Sequence, residues 1–228
     1  MMLNTDLLLW YLYSYFIGCV PTAYIIGKLV RGIDLRRYGS GNIGGANLFF
    51  HVSKAWAFPL GLFEVFIKGG SPIYIGLFLL DLDRSSSLLI YAGLLVLIGN
   101  NWSIFLRFTG GRGIAVITGL LLALAPIELG LFLAIAIGGW ALSRSSGIWV
   151  LISLILLPLW SFLLKEPIEL VYFSVAILGI VLLKRLVGNW TPVPNDRSII
   201  KVLTNRLLRD RDTSSRDEWV LHKPNETQ

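Results

Sequence analysis

The chain has 228 residues, of which 55% are hydrophobic and only 15% charged, whereas charged residues make up about a quarter of a typical soluble domain. This composition excludes an ordinary soluble protein and favours a protein of the lipid bilayer. The net charge of +6 favours anionic lipid head groups and phosphorylated solutes as partners. Nucleic acid is a poor alternative, and none is expected as a partner.

Long apolar runs follow one another along most of the chain. A helix needs about 20 such residues to cross a hydrocarbon core of about 30 Å, and fewer where neighbouring helices bury it. A β-barrel would instead show strict alternation over short segments. We therefore predict an all-α integral membrane protein with about seven transmembrane helices, the fourth and fifth being separated at Pro126 and Glu128. The predicted spans are residues 7–29, 57–80, 87–106, 114–125, 129–142, 148–164 and 168–183.

The Lys and Arg residues near the span ends predict the orientation, because such residues are retained on the cytoplasmic side. Seven spans with the N-terminus outside place nearly all of them inside. Only Arg84 and Lys165 then lie outside, and Lys68 lies within a span. The sequence thus predicts a multi-pass protein of the cell membrane, with a cytoplasmic C-terminus and its active surface on the cytoplasmic side.

Two glycine-rich segments fall on the predicted inside: residues 39–47, here called the first glycine loop, and residues 110–113, the second glycine loop. Glycine allows consecutive backbone N–H groups to converge on an anion, and a following helix N-terminus adds a favourable dipole. Arg112 adds a guanidinium suited to phosphate. The same glycines are also compatible with tight turns or close helix packing.

The composition changes after Trp190 to Thr-Pro-Val-Pro-Asn-Asp, a turn-forming linker. We therefore divide the chain into a membrane domain, residues 1–187, and a cytoplasmic tail, residues 188–228, of which residues 210–228 are expected to be disordered. Within the tail, apolar residues recur at helical spacing among basic ones. They predict a basic amphipathic helix lying on the membrane, or one packed on the protein's own loops. These apolar residues are Ile199, Ile200, Leu203 and Leu207.

Four segments, in this order and context, resemble the acyl-phosphate glycerol-3-phosphate acyltransferase (PlsY) family. The resemblance covers residues 11–126 well, and beyond Pro126 it rests on hydropathy and span count. The segments are Gly-Cys-Val-Pro-Thr-Ala-Tyr-Ile-Ile-Gly-Lys at 18–28, Asp-Leu-Arg-Arg-Tyr-Gly-Ser-Gly-Asn-Ile-Gly-Gly-Ala-Asn at 34–47, Lys-Gly at 68–69 before Pro72, and Phe-Thr-Gly-Gly-Arg-Gly-Ile-Ala at 108–115.

The resemblance implies a seven-helix membrane enzyme that moves a fatty acyl group from acyl phosphate to the 1-hydroxyl of glycerol 3-phosphate. The product is lysophosphatidic acid, the acyl chain enters from the lipid side, and no metal, coenzyme A or other cofactor is required. By the same resemblance, Ser40, Asn100 and Arg112 occupy the catalytic positions. The implied phosphate-binding residues are Gly41, Asn42, Gly44, Asn47, Lys68, Gly110, Gly111 and Gly113.

Several positions depart from the family pattern. The family has Arg at Phe50, His at Asn100, Lys at Arg112 and Asp at Val65, which is preceded here by Glu64. An Asn amide cannot replace a His as a base, because it does not titrate near neutrality, so Asn100 would orient rather than abstract a proton. Arg keeps the charge of Lys but changes the donor geometry.

The family's C-terminal His and Asn have no clear counterparts, although Arg185 and Asn189 lie nearby. His51 is either close to the site or a solvated loop histidine. These departures keep a second hypothesis open, a catalytically silent relative that binds lipid or a phosphorylated ligand as a subunit or scaffold, with a membrane-protein partner. A transporter is the remaining alternative, although no second half mirrors the break at Pro126, as an inverted repeat would.

Overall fold

The computed structural model describes residues 4–189, 192–193 and 198–215. Within these ranges the backbone is helical, apart from turns, short 3₁₀ segments and one isolated bridge between Ser103 and Thr109. The α-helices are α1 (Asn4–Cys19), α2 (Thr22–Arg31), α3 (Gly45–His51), α4 (Lys54–Leu62), α5 (Ser71–Phe78), α6 (Ser87–Asn101), α7 (Ile114–Leu124), α8 (Pro126–Ser143), α9 (Ser146–Leu163), α10 (Ile168–Val187) and α11 (Ile199–Arg209). The predicted all-α architecture is therefore confirmed.

Five helical segments within the described ranges are long and apolar enough to cross a bilayer: Asn4–Arg31, Lys54–Phe78, α8, α9 and α10. The third and fourth predicted spans correspond to shorter apolar helices, because α6 has 15 residues and α7 has 11. Both are largely buried by their neighbours, so they need not meet the length of a lipid-facing helix. The number of crossings stays a prediction.

Several helix boundaries differ from the predicted spans. The first span is interrupted before Pro21, which lacks a backbone N–H. In the third predicted span, α6 ends at Asn101 instead of continuing to residue 106, and residues 104–106 form a 3₁₀ turn. The predicted separation of the fourth and fifth spans, placed at Pro126 and Glu128, is wrong in part. The helix begins at Pro126, a favoured first position, and Glu128 lies inside it, fully buried.

The long segment Lys54–Phe78 is not α-helical throughout. Its residues Phe63–Gly70 form a π-helix between α4 and α5. This π-helix crosses α7 where two glycines face each other. A Cβ atom on Gly119 would lie 2.0 Å from the carbonyl oxygen of Val65, and one on Gly69 would lie 2.4 Å from that of Val116. Because these glycines have no side chains, the backbones of the π-helix and α7 touch. This contact places Glu64 and Lys68 beside the start of α7.

The main core lies between α1, α6, α7 and α10, where residues such as Leu97, Leu120 and Phe173 are almost completely buried. The outer surface is apolar as well. Leu142 is 85% exposed and Phe78 is 77% exposed, and extensive apolar surface of this kind is suited to contact with lipid. The glycine loops lie together at one end of the bundle, and the Arg84–Glu166 ion pair lies in loops at the opposite helix ends.

In the predicted tail, α11 packs against α9 and α10. Its inward side carries Val202 and Arg206, both buried, whereas Ile199 and Ile200 are exposed. The approach is close, since a Cβ atom on Gly147 at the start of α9 would lie 2.6 Å from the carbonyl oxygen of Arg209. This contact favours the alternative of a helix packed on the protein itself. Residues 216–228, most of the predicted disordered segment, lie outside the described residues.

Candidate functional site

The first glycine loop is held in shape by Asn47. Its amide nitrogen donates to the carbonyl oxygens of Leu35 (3.0 Å), Tyr38 (2.8 Å) and Asn42 (3.0 Å). Gly39 and Gly41 adopt positive φ angles of 56° and 67°, which favour glycine. The side chain of Asn47 is therefore used to fold the loop, and its predicted contact with phosphate stays a prediction.

The turn that precedes this loop is fixed by Asp34, whose carboxylate accepts hydrogen bonds from the backbone N–H and the side chain of Arg36. Partial burial of the Asp34 carboxyl acts to raise its pKa, but the hydrogen bonds and charge of Arg36 outweigh burial and lower the pKa. His51 is buried behind this loop, with its ring 5.7 Å from that of Tyr38. It does not line the cavity described below.

The second glycine loop connects to the rest of the bundle through its backbone. The Gly110 N–H donates to Asn189 Oδ1 at 3.0 Å, and the Gly111 N–H donates to the Asn100 carbonyl oxygen at 3.0 Å. Gly113 precedes α7 with a φ of 75°. The N–H groups of Gly110 and Gly111 thus have partners within the chain, so these glycines shape the wall of the site. Direct phosphate binding by them stays a prediction.

Asn189 joins the two glycine loops. Its Nδ2 donates to the carbonyl oxygens of Gly41 at 2.8 Å and Gly110 at 3.2 Å. Its Oδ1 accepts from the Gly110 N–H and from Lys184 Nζ at 2.9 Å. One amide thereby uses both its donor and acceptor groups to hold the first loop, the second loop and the end of α10 together. The sequence shows only that Asn189 lies near the expected position of the family's C-terminal Asn, because its partners Gly41 and Gly110 lie far away along the chain.

The two glycine loops wall a cavity of about 210 Å³, here called the loop cavity. The first loop contributes residues 42–46 and the second contributes residues 111–113, followed by the start of α7. Polar and charged side chains reach it from other elements as well. Those side chains are Glu64, Asn100, Arg112, Ser146, Arg185 and Asp210.

A larger groove of about 600 Å³, here called the aromatic groove, adjoins the loop cavity and shares Asn42, Ala46, Ser146, Gly147 and Asp210 with it. Ser40 lines this groove, not the loop cavity, so the structure separates Ser40 from the wall that carries Arg112. The groove is also lined by Phe49, Phe50 and Trp140, each partly exposed, and by arginines. These arginines are Arg144, Arg209 and Arg211.

Three cationic side chains are almost fully buried next to the loop cavity: Arg112 (7% exposed), Lys184 (0%) and Arg185 (2%). Arg112 Nη1 donates to the carbonyl oxygen of Lys184 at 3.1 Å, and its Nε is paired with the carboxylate of Asp210. Lys184 Nζ also lies 5.3 Å from the centre of the Trp102 ring. Burial of several cations is costly unless anions or hydrogen bonds compensate them, so this cluster is suited to a multiply charged anion.

Lys68 is almost fully buried, with only 2% of its surface exposed, and it lies behind the loop cavity. Its Nζ pairs with Glu64 Oε1 at 2.8 Å and donates to Asn100 Oδ1 at 3.1 Å. Asn100 Nδ2 in turn lies 3.2 Å from Asn101 Oδ1, to which it donates. Asn100 therefore accepts a hydrogen bond from a buried cation, and the orienting role expected for it in catalysis stays a prediction. Among the described residues, no group of three or more His, Cys, Asp or Glu side chains could hold a metal ion.

The fold and the cavity define a class: an all-α membrane protein with a cation-lined cavity between two glycine loops. Comparison with known proteins agrees. The family model described as glycerol-3-phosphate acyltransferase matches residues 8–190. The chain belongs to the glycerol-3-phosphate acyltransferase family.

Curated relatives support this assignment, and a solved structure shares the fold. Glycerol-3-phosphate acyltransferase 5 of Dehalococcoides mccartyi is 33% identical over 214 residues, which cover 91% of this chain and 89% of that protein. A glycerol-3-phosphate acyltransferase of a Thermoanaerobacter species is 40% identical over 125 residues, or 55% of this chain and 60% of that protein. The crystal structure of PlsY, an integral membrane glycerol 3-phosphate acyltransferase, in its glycerol 3-phosphate form has the same fold. Its TM-score is 0.76 at 23% identity, over 88% of this chain and 94% of that chain.

Proposed function

We propose that this protein transfers an acyl group from acyl phosphate to the 1-hydroxyl of glycerol 3-phosphate. The hydroxyl oxygen forms a bond to the acyl carbon, and the bond between that carbon and the phosphate oxygen breaks. Lysophosphatidic acid and inorganic phosphate are the products, and the hydroxyl proton ends on the phosphate. The observation that carries this proposal is the meeting of two glycine loops and a buried cation cluster at one cavity.

In this proposal the cation cluster holds phosphate. Arg112 provides a planar guanidinium that can bind two phosphate oxygens at once, with Lys184 and Arg185 adding charge behind it. The glycines of both loops allow substrate to approach the backbone closely. Asn100 and Lys68 fix the wall of the site. Catalysis then comes from positioning two substrates and from stabilising charge in a site already arranged for it.

The aromatic groove is the candidate route for acyl phosphate. It adjoins the loop cavity, so a substrate lying across both could bring its phosphate to the cations and leave its chain on Phe49, Phe50 and Trp140. Arginine and aromatic side chains together suit a ligand with an anionic head and an apolar tail. Ser40 would then contact the acyl donor from the wall of the groove.

The proposed topology has seven crossings, with the N-terminus outside and the glycine loops on the cytoplasmic side of the cell membrane. It is supported by the basic residues, which concentrate at the helix ends beside the glycine loops, as the retention of Lys and Arg in the cytoplasm requires. In this topology α6 and α7 cross as short helices within the bundle. Phosphorylated, water-soluble glycerol 3-phosphate would reach the loop cavity directly from the cytoplasm.

The decisive experiment is turnover by the purified full-length protein, given acyl phosphate and labelled glycerol 3-phosphate in detergent. We expect labelled lysophosphatidic acid to form well above the level of a Ser40→Ala control. Product no higher than in that control would contradict the proposal for this acceptor. A stoichiometric membrane-protein partner that copurifies with inactive protein would instead support the silent-relative hypothesis, which the family assignment does not favour.

Asn189 offers a test of how the loops are held. Replacing Asn189 by Ala removes four hydrogen bonds between the two glycine loops and α10, so both loops should loosen. We expect kcat/KM for glycerol 3-phosphate to fall about tenfold or more, since each buried hydrogen bond is worth about 1 kcal/mol. The measurement is steady-state acyl transfer, with Asn4→Ala, a change at the exposed start of α1, as the control. Equal activity of the Asn189 and Asn4 variants would rule out this role.

A further inference from the structure

The loop cavity already contains an anionic group that belongs to the chain itself. The carboxylate of Asp210 lines the cavity and pairs with the Arg112 guanidinium, 98 positions earlier in the sequence. Asp210 directly follows α11, whereas the family model ends at residue 190. An element outside the region matched by the family model therefore supplies the anion that contacts the proposed phosphate ligand.

The charges around Asp210 are unbalanced. One carboxylate, whose side chain is 23% exposed, faces the buried guanidinium groups of Arg112 and Arg185, while Glu64, the other carboxylate that lines the cavity, pairs with Lys68. A phosphate monoester carries a charge of about −1.5 to −2 near neutral pH and three acceptor oxygens. It therefore complements these cations better than a single carboxylate does, and both anions cannot bind the same guanidinium edge.

Hydrogen bonds join α11 to the end of α10. Arg185 Nη1 donates to the carbonyl oxygen of Leu207 at 2.7 Å, and Arg206 Nη1 donates to that of Leu186 at 3.2 Å. Arg206 also pairs with Asp212 at 2.7 Å, which closes the turn after the helix. Val202 is the buried apolar residue of α11. Elements with few buried apolar contacts open at low free-energy cost. We therefore expect that α11 can move away from α9 and α10 at low cost.

We propose that Asp210 is a resident anion in the phosphate site and that α11 is a lid, which a phosphorylated substrate displaces when it binds Arg112. The proposal rests on the proposed role of Arg112 as a phosphate ligand. In the absence of substrate, the Asp210 carboxylate compensates part of the buried charge and keeps the lid closed. When a dianionic phosphate binds, it takes the place of the carboxylate, and α11 with its turn moves away from α9 and α10.

The first test is the affinity for inorganic phosphate, measured by titration of the full-length protein in detergent. Asp210→Asn removes the competing charge, and Asn tolerates the left-handed backbone, with φ of 58°, that residue 210 adopts. We expect phosphate to bind about tenfold more tightly to this variant than to the natural protein, since a charge-assisted contact no longer has to be broken. Unchanged or weaker phosphate binding would overturn the proposal.

A matched control removes a carboxylate from an Arg pair at the opposite end of the bundle. Glu166→Gln breaks the pair with Arg84 and should leave phosphate affinity unchanged. If Glu166→Gln tightens phosphate binding as much as Asp210→Asn does, the effect is one of overall charge and the lid is excluded.

The second test uses the natural protein and detects the movement itself. Amide hydrogen exchange within residues 199–209 should become faster when phosphate is added, because the lid opens. Unchanged or slower exchange would contradict the proposal. Neither test requires acyl transfer. Protein that binds phosphate in this way but forms no product would support the lid and contradict the proposed activity. Active protein whose Asp210→Asn variant binds phosphate with unchanged affinity would support the activity and contradict the lid.

Discussion

Replacing Arg112 by Gln is expected to lower kcat/KM for glycerol 3-phosphate by about 10- to 150-fold. That range corresponds to the loss of about 1.5–3 kcal/mol of charge-assisted hydrogen bonding to phosphate. Arg112 is 7% exposed and lines the loop cavity, so solvent screens this interaction little. Steady-state kinetics with glycerol 3-phosphate as the varied substrate, and acyl phosphate saturating, provide the measurement.

Two further variants distinguish the loss of positive charge at residue 112 from a nonspecific loss of activity. Arg112→Lys keeps the positive charge and restores the residue found in the family pattern, so it should retain far more activity than Arg112→Gln. Arg107→Gln removes an exposed arginine five positions earlier and should behave like the natural protein. If Arg112→Gln has the kcat/KM of the natural protein, Arg112 is not a phosphate ligand and the proposed site is wrong.

Replacing Lys68 by Met is expected to have the largest effect on stability, lowering the free energy of unfolding by about 3 kcal/mol. The change leaves the Glu64 carboxylate, whose side chain is 12% exposed, without its cation in the bilayer-embedded part of the bundle. It also removes the donor to Asn100 Oδ1. This figure is at the lower end for a broken buried pair, because the loop cavity gives Glu64 some access to water. Unfolding in detergent mixtures, followed by circular dichroism, is the measurement.

The double variant Glu64→Leu, Lys68→Met distinguishes stability from function. Replacing a whole buried ion pair by apolar residues of similar volume is often neutral or stabilising, so most of the lost stability should return. Activity should not return, since Lys68 holds Asn100 beside the loop cavity. Full recovery of both quantities would mean that the pair serves only packing. A single Lys68→Met variant as stable as the natural protein would contradict the assigned burial of the pair.

The candidate site was only partly predictable from sequence. Arg112 and the glycines at 110, 111 and 113 were recognised from a short local pattern that the structure places at a cavity wall or close behind it. The pattern did not indicate that the N–H groups of Gly110 and Gly111 are bonded to Asn189 and Asn100. Ser40 and Arg112 were both assigned to catalytic positions, but they line adjoining spaces. Which way a loop residue points depends on the turn geometry of its whole loop.

Residues beyond the motifs were the least predictable. Asn189 binds Gly41 across 148 positions, and Asp210 binds Arg112 across 98. Lys184 and Arg185 fit the general pattern of basic residues at the end of a membrane helix. That pattern does not reveal that both side chains are buried near the cavity. Their partners come from helices that meet only when the bundle is packed, so no local pattern could identify them.

The sequence by itself determined that the protein is helical and belongs in the membrane, because hydropathy is a sum over neighbouring residues and acts before any tertiary contact forms. It also determined where the backbone can bend, since glycine and proline act on their own dihedral angles. Only the tertiary structure decided which charges meet. A buried cation needs an anion or hydrogen-bond acceptors within a few ångströms, and the packing of α11 against α9 and α10 brings Asp210 to Arg112.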